Sequence, residues 1–88
     1  MKVGKVIKLD FTYEAYKGCR DKPSVKLVSA IMDSNPGDII EIRGEDTVFP
    51  FSILLETLED EGFTYDIIER DDLIGYYEVR AVKQNGGN

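Results

Sequence analysis

The fold of this chain is decided by residues 35–43, NPGDIIEIR, in which a helix stop leads directly into a strand. The first three residues of this stretch end the helical pattern before them, because proline and glycine do not continue a helix. In the rest, Ile40 and Ile42 alternate with polar residues, which is the period of a half-buried strand. We therefore predict a strand over Asp38–Arg43, closed by Gly44, with a helix ahead of it.

Upstream of this stretch, the pattern predicts a strand, a loop and that helix. Residues 6–11 alternate apolar and charged side chains and predict the first strand. Residues 12–21 lose this period and predict a loop. The first predicted helix begins near Pro23, since proline suits the first helical turn. Its predicted core-facing stripe consists of Val25, Val28 and Met32, with Leu27 and Ile31 beside them.

Downstream, the pattern predicts a second helix and two strands. Asp46-Thr47 and Pro50 mark the start of this helix, and Gly62 marks its end. Its core face is predicted from the i, i+3, i+4, i+7 spacing of Phe51, Leu54, Leu55 and Leu58. The last two strands are predicted over Phe63–Glu69 and Leu73–Lys83, with a turn at Asp71-Asp72. Their predicted core positions are Phe63, Tyr65 and Ile67, then Ile74, Tyr76, Val79 and Ala81.

The predicted order of elements is therefore β-α-β-α-β-β. With right-handed crossovers, both helices pack on one face of a mixed four-stranded sheet. The predicted fold is α+β, a two-layer α/β sandwich formed by a single domain of residues 1–83, with a disordered tail of residues 84–88. Tyrosines on the other sheet face serve either dimerisation and partner docking or no role beyond that of surface aromatics.

The charge of the chain is unevenly distributed. Residues 1–37 hold seven Lys/Arg and four Asp/Glu, a net of +3, whereas residues 38–72 hold twelve acids and two arginines, a net of -10. No basic stripe with interleaved aromatics is present, which argues against direct nucleic-acid binding. The acidic part is expected either to dock a basic protein or to form a solvated surface. Without an apolar membrane span or signal core, we expect a cytoplasmic protein.

The residue types present exclude several kinds of active site. The chain has no histidine, so it lacks the usual general base and the usual partner of cysteine in zinc binding. Its carboxylates are spread over helices and turns in positions that look solvated. We therefore expect neither hydrolytic catalysis nor a metal site.

Cys19 is the only cysteine and the strongest candidate for chemistry. It cannot form an internal disulfide, so it is expected to be a free thiol in a reducing compartment. It lies outside any apolar run, just before the predicted helix start at Pro23, and Lys17, Arg20 and Lys22 surround it in the sequence. Positive charge and a helix N-terminus together favour the thiolate, which is the reactive form. The alternative is that Cys19 is an ordinary small loop residue.

Several landmarks in the chain occur in a characteristic order between Ile7 and Val82. They are Leu9-Asp10, Gly18-Cys19 ahead of Pro23, Pro36-Gly37-Asp38 leading into Ile39-Ile40-Glu41-Ile42, Pro50, and Glu59-Asp60-Glu61-Gly62. In this order the landmarks resemble those of the TusA/SirA-like family of small sulfur-carrier proteins.

The resemblance implies both a fold and a function. In that family, the cysteine of a Cys-Pro-x-Pro motif at the start of the first helix accepts persulfide sulfur. The donor is a protein such as a cysteine desulfurase or rhodanese, and the sulfur passes on to an acceptor protein. The resemblance implies the β-α-β-α-β-β sandwich and a sulfurtransferase role for Cys19, without a metal or organic cofactor. Lys17, Arg20, Lys22 and Pro23 would then stabilise the bound sulfur, and the chain would be a monomer or weak dimer.

The cysteine motif of this chain departs from the Cys-Pro-x-Pro pattern of the family. It reads Cys19-Arg20-Asp21-Lys22-Pro23, so the cysteine lies four residues before Pro23 and the first proline is replaced by Arg20. A one-residue loop insertion would keep Cys19 at the sulfur-carrying position. Without a gap, Arg20 occupies that position, and the chain is a degenerate, non-catalytic interaction or regulatory module. A redox-sensing thiol is a third interpretation, but the chain has no resolving cysteine.

Overall fold

The computed structural model of the protein describes residues 4–18 and 21–84. Within them the elements are, in order, β1 (Val6–Phe11), α1 (Tyr13–Tyr16), α2 (Pro23–Asp33), β2 (Ile39–Glu45), α3 (Phe51–Asp60), β3 (Phe63–Asp71) and β4 (Tyr76–Lys83). The predicted α+β class and the predicted order of the strands and the two long helices are confirmed. The short helix α1 lies in a segment predicted to be a loop.

The strands form one mixed sheet in the order β1-β2-β4-β3. β1 and β2 are parallel, whereas β4 is antiparallel to both of its neighbours. α2 joins the parallel neighbours β1 and β2. α3 then leads from β2 to the far edge of the sheet, and β4 returns between β2 and β3. With the helices on one face of this sheet, the molecule is the predicted two-layer sandwich.

The core lies between the long helices and one face of the sheet. In β2, Ile40 and Ile42 are buried opposite Ala81 and Val79 of β4, which are buried as well. From α3, Leu54 and Leu58 are fully buried, and Phe51 and Leu55 are partly buried against the core, as predicted. Burying one such aliphatic side chain contributes about 1.5–3 kcal/mol, so this single layer supplies most of the driving force for folding.

The predicted core stripe of α2 is wrong in three of its members. Val25, Val28 and Met32 are exposed, at 56%, 48% and 78%. The buried row has the same helical spacing and consists of Leu27, Ala30, Ile31 and Ser34. The Ser34 hydroxyl donates to the Ile31 carbonyl oxygen at 2.7 Å, which satisfies it in the interior. Because α2 is apolar on two sides, the period alone did not determine which side faces the sheet.

β2 also differs from the prediction, because Gly44 lies inside the strand and does not end it. The buried ring of Tyr77 lies against Gly44, and a Cβ atom at this glycine would come within 2.7 Å of the Tyr77 hydroxyl oxygen. That hydroxyl donates to the Phe49 carbonyl oxygen at 2.7 Å. Glycine at this position therefore makes room for a buried, hydrogen-bonded tyrosine.

The β3–β4 hairpin is shifted relative to the prediction. β3 extends to Asp71 and has a bulge between Ile67 and Glu69. Leu73 and Ile74 lie in the turn and are 97% and 70% exposed. The core positions predicted at Ile67, Ile74 and Tyr76 are therefore wrong, and Tyr77 is the buried tyrosine of β4. The turn is longer than the two acidic residues indicated, which changes the phase of the alternation in β4.

No helix in the described part of the chain has the length and apolar character needed to cross a bilayer.

At the C-terminal end of the described residues, Gln84 belongs to the predicted tail but is hydrogen-bonded. Its N–H donates to the Gly62 carbonyl oxygen at 3.1 Å, and its side-chain amide donates to the Thr64 hydroxyl at 2.8 Å. The rest of the predicted tail, residues 85–88, lies outside the described residues.

Candidate functional site in the connection between α1 and α2

The predicted site lies on the connection between α1 and α2, and α1 sets where this connection starts. The Thr12 hydroxyl accepts a hydrogen bond from the Ala15 N–H at 3.4 Å, so Thr12 caps the helix. The Tyr13 N–H donates to a Glu45 side-chain oxygen at 3.1 Å, which ties α1 to the end of β2. Sequence reasoning missed α1, although a threonine cap directly after a strand was a signal for it.

Tyr16 holds α1 against the rest of the molecule. Its ring centroid lies 5.8 Å from that of Phe11, and the Lys26 ammonium of α2 lies 5.9 Å from the Tyr16 ring. Gly18 then has a φ of +79°, a left-handed conformation that favours glycine. The chain therefore turns sharply just before Cys19 in the sequence.

The other end of the connection is the start of α2. Lys22 is the N-cap residue and Pro23 is the first helical residue, as the sequence predicted. The N–H groups of Val25 and Lys26 both donate to the Lys22 carbonyl oxygen, at 3.1 and 3.2 Å. Pro23 has no N–H, so the remaining first-turn donor is the N–H of Ser24.

The first turn of α2 holds no acidic side chain, and Lys22 makes no side-chain capping hydrogen bond. By contrast, the first N–H of α3, that of Phe51, donates to an Asp46 carboxylate oxygen at 3.0 Å. The only carboxylate that adjoins this helix start in the sequence is that of Asp21, which directly precedes Lys22.

The predicted site residues have different positions around this connection. Lys22 and Pro23 lie together at the helix start. Lys17 lies on the α1 side, where its ammonium forms an exposed ion pair with Glu14 at 3.1 Å, so a nearby carboxylate offsets its charge. Cys19 and Arg20 lie outside the described residues.

A second polar cluster, centred on Asp46 and Arg70, was not predicted. Arg70 Nη2 donates to Asp46 Oδ2 at 2.9 Å, and Arg70 Nε donates to Asp72 Oδ1 at 2.8 Å. The guanidinium also lies 4.4 Å from the centroid of the Phe51 ring. Because the Asp46 N–H donates to the Gly75 carbonyl oxygen at 2.9 Å, the cluster joins the start of α3 to the β3–β4 turn.

The chemistry of this cluster is that of a structural connection. The hydrogen bond from Arg70 lowers the pKa of Asp46 below its ordinary value, against the opposing effect of burial, with help from the Phe51 N–H. Asp46 is therefore held as a carboxylate with its partners in place. Arg70 is shared between Asp46 and Asp72, so its guanidinium is already engaged by two carboxylates within the chain.

The sheet face away from the helices carries alternating charges. One row across the strands reads Lys8, Glu41, Arg80 and Asp66, and the next reads Asp10, Arg43 and Glu78. Arg43 pairs with Asp10 at 3.1 Å and Arg80 with Glu41 at 3.5 Å. These rows line a shallow groove that includes no residue of the α1–α2 connection. We refer to this surface as the open face.

Within the described ranges 4–18 and 21–84, no group of three or more acidic, histidine or cysteine side chains is arranged to hold a metal ion. No protein-family model, curated protein or solved structure matches the chain. Its function is therefore inferred from the residues themselves.

Proposed function

We propose that the chain is a sulfur carrier of the TusA/SirA-like type, which relays persulfide sulfur on Cys19 from a donor protein to an acceptor protein. The observation that carries this proposal is the start of α2. Cys19 precedes the Lys22 cap by three residues in the sequence, and the first turn of α2 has no acidic residue. A helix start of this kind favours an anion, and a thiolate or persulfide is an anion.

The transfer is a thiol–persulfide exchange. The Cys19 thiolate attacks the outer sulfur of the donor persulfide, and the sulfur–sulfur bond of the donor breaks. The donor leaves as a thiolate, and Cys19 holds the transferred sulfur as a persulfide. An acceptor thiolate removes it in the same way, so the cycle needs no oxidant, metal or organic cofactor.

The charges around the connection have separate roles in this proposal. Lys22 and the positive end of α2 stabilise the persulfide anion, and Arg20 adds positive charge next to Cys19 in the sequence. Lys17 contributes less than predicted, because Glu14 offsets its charge at 3.1 Å. Pro23 contributes by starting the helix in a defined place.

A relay between thiols also requires a reducing compartment, which is why we place the protein in the cytoplasm.

Persulfide loading tests the proposal. The full chain is incubated with a cysteine desulfurase and L-cysteine, and its intact mass is measured. We expect the gain of one sulfur atom, its loss on reduction, and no gain in Cys19→Ser. A control chain carrying Cys19→Ser and Ser29→Cys, with its one thiol on an exposed position in the middle of α2, should load more slowly.

Lys22→Glu should slow the loading of Cys19, because it places a carboxylate at the helix start. If Cys19 stays unloaded while an established carrier is loaded in the same mixture, the relay is refuted. Equal loading of the Cys19 chain and the Ser29→Cys control would show that Cys19 has no special reactivity.

The second candidate function is a non-catalytic interaction module. The exposed β3–β4 turn favours this function. The Asp46–Arg70 cluster anchors the turn, and Leu73 within it is 97% exposed. In that case Cys19→Ser leaves the cellular role intact, and Leu73→Ser abolishes it.

A further inference from the structure

The first strand, β1, is an outermost strand of the sheet, and its outer side has no described strand beside it. The Ile39 N–H donates to the Lys5 carbonyl oxygen at 3.0 Å, which sets the backbone groups that face β2. In a parallel ladder these groups belong to every second residue. The N–H and C=O groups of Val6, Lys8 and Asp10 therefore point outward. Within residues 4–18 and 21–84, no residue forms a hydrogen bond with them.

The two outer strands of the described sheet differ in how well they could accept another strand. β1 pairs with β2 without a bulge and contains no proline, so its outward backbone groups are regularly spaced. β3, at the opposite edge, has a bulge between Ile67 and Glu69. A bulge removes the regular spacing that a partner strand needs. Of these two edges, β1 is the one that is open to pairing.

The charges that reach β1 on the open face determine which partner strand fits. In two neighbouring rows, the sign of the charge alternates from strand to strand: Asp66, Arg80, Glu41 and Lys8, and then Glu78, Arg43 and Asp10. One row ends at the edge with a cation, and the other ends with an anion two residues further along. A strand that continues both rows needs an anion opposite Lys8 and a cation opposite Asp10. A reversed β1 carries both charges with this spacing.

We propose that β1 pairs with β1 of a second copy of the chain, antiparallel, about a two-fold axis perpendicular to the sheet at Leu9. Lys8 of each copy then lies opposite Asp10 of the other, and Leu9 lies opposite its equivalent. Because the backbone groups of Lys8 and Asp10 point outward, each of these pairs exchanges two hydrogen bonds. Each charge row of one copy continues into the other row of the second copy. The sign therefore alternates from Asp66 of one copy to Glu78 of the other.

Other registers of the same two strands fit less well. Outward backbone groups must face one another, so the strands can slide only in steps that change each opposite residue by two. One step in one direction places Lys8 opposite Lys8, and one step in the other places Asp10 opposite Asp10. Like charges directly opposite each other are destabilising. In the proposed register, the half-buried Ile7 and Leu9 on the covered face also gain cover from the other copy.

The interface is small and closes on itself. Two strands that overlap over residues 7–11 bury far less than the roughly 800 Å² per partner of a standard interface. The dimer is therefore weak and reversible, with a dissociation constant on the order of 0.1–1 mM. Both β1 edges are used, and each end of the joined sheet is a β3 edge with its bulge, so association stops at two copies. The inference is independent of the role of Cys19.

Sedimentation equilibrium of the full chain from micromolar to millimolar concentration tests the dimer. In reductant, the average mass should rise with concentration from 10.0 kDa toward twice that value and no further. Lys8→Glu should weaken association about tenfold, because it places like charges opposite one another in both pairs. The matched control is Arg80→Glu, which makes the same change of charge on the open face of β4. It should weaken association less than about threefold, because salt screens charges at that distance.

A mixture of two variants tests the register. Asp10→Lys should also weaken self-association, because it too places like charges opposite one another. When Lys8→Glu and Asp10→Lys chains are mixed, the introduced carboxylate faces the introduced ammonium, and the unchanged Asp10 faces the unchanged Lys8. The mixture should therefore associate within about threefold of the natural chain. Urea unfolding of each variant alone shows whether it is folded.

Hydrogen exchange of the natural chain locates the paired strands without any substitution. Between micromolar and millimolar concentration, exchange of the Lys8 and Asp10 N–H groups should slow severalfold, whereas that of the Leu9 N–H, which faces β2, should not change. A chain that stays monomeric at millimolar concentration overturns the proposal. A dimer as sensitive to Arg80→Glu as to Lys8→Glu, a mixture of folded variants no tighter than either alone, or outward N–H groups without protection overturns it as well.

Discussion

The two faces of the β-sheet are built from alternate residues of the same strands, yet they differ in almost every property. On the helix-covered face, Ile40, Ile42 and Val79 are buried in a dry layer. On the open face, their sequence neighbours Glu41 and Arg43 belong to two rows in which the sign of the charge alternates from one strand to the next. The covered face therefore holds the fold together, whereas the open face keeps its charges in water and joins some of them in ion pairs, Asp10 with Arg43 and Glu41 with Arg80.

This difference shows where the stability of a chain of 88 residues resides. So short a chain has a small core, and each fully buried side chain is a large share of the total. Ion pairs on an exposed surface contribute between zero and about 1 kcal/mol each. Substitutions at consecutive residues, one on each face, should therefore have very different effects.

The largest effect is expected from Ile42→Ala on the covered face. It removes a buried side chain and leaves a cavity, which should lower the free energy of unfolding by about 3 kcal/mol. Arg43→Ala, one residue along on the open face, should lower it by less than about 1 kcal/mol. Urea denaturation measures both changes. Equal losses in the two variants would contradict the division of roles between the faces.

The adjacent tyrosines of β4 sharpen the comparison. Burial raises the pKa of Tyr77, so its hydroxyl stays protonated and donates to the Phe49 carbonyl oxygen at 2.7 Å. Tyr77→Phe leaves that carbonyl without its partner and should lower the free energy of unfolding by about 1–2 kcal/mol. The control Tyr76→Phe removes a half-buried open-face hydroxyl bonded to Glu78 and should change it by less than about 0.5 kcal/mol. A larger effect for Tyr76→Phe in thermal or urea unfolding would reverse this expectation.

The smallest effect concerns Asp10, the open-face carboxylate most closely bound by its neighbours. Partial burial raises its pKa, but hydrogen bonds from the Thr12 hydroxyl and N–H and from Arg43 outweigh this effect. Its pKa therefore lies below the ordinary value of 3.8. A carboxyl with a lowered pKa stabilises the folded chain above pH 3.8, and this contribution is lost as the pH falls through the folded pKa.

Asp10→Asn should therefore destabilise the chain at pH 7 by less than about 1 kcal/mol, and the difference from the natural chain should vanish as the pH falls below 3.8. Urea unfolding at a series of pH values measures this difference. The control is Glu41→Gln, whose partner Arg80 is 3.5 Å away, and it should show little difference at any pH. A difference for Asp10→Asn that grows as the pH falls would show that the sign is wrong.

Much of the fold could be predicted, because local patterns and tertiary packing agree at the decisive places. The stretch from residue 35 to 43 marks the end of one helix and the start of a strand by local chemistry alone. The core row of α3 was predicted correctly because Ile53 is the one large apolar residue on its outer side. α2 has apolar residues on two sides, and only contact with the sheet decides that Leu27 is buried and Val28 is not.

The candidate site was predicted only in part, for similar reasons. Pro23 identified the start of α2, because proline at the first helical position is a local signal. The ion pair of Lys17 with Glu14 follows from i, i+3 spacing, but only once α1 is known to be a helix. Asp46 and Arg70 are separated by 24 positions, so no local pattern could bring them together.

The bulge in β3 has a consequence beyond the shape of the hairpin. β3 is an outermost strand of the sheet, and such strands are natural templates for fibril growth. Between Ile67 and Glu69 the bulge interrupts the regular spacing of backbone donors and acceptors that an incoming strand would need. The bulge therefore opposes the pairing of this strand, with its exposed isoleucines at residues 67 and 68, to a strand of another chain.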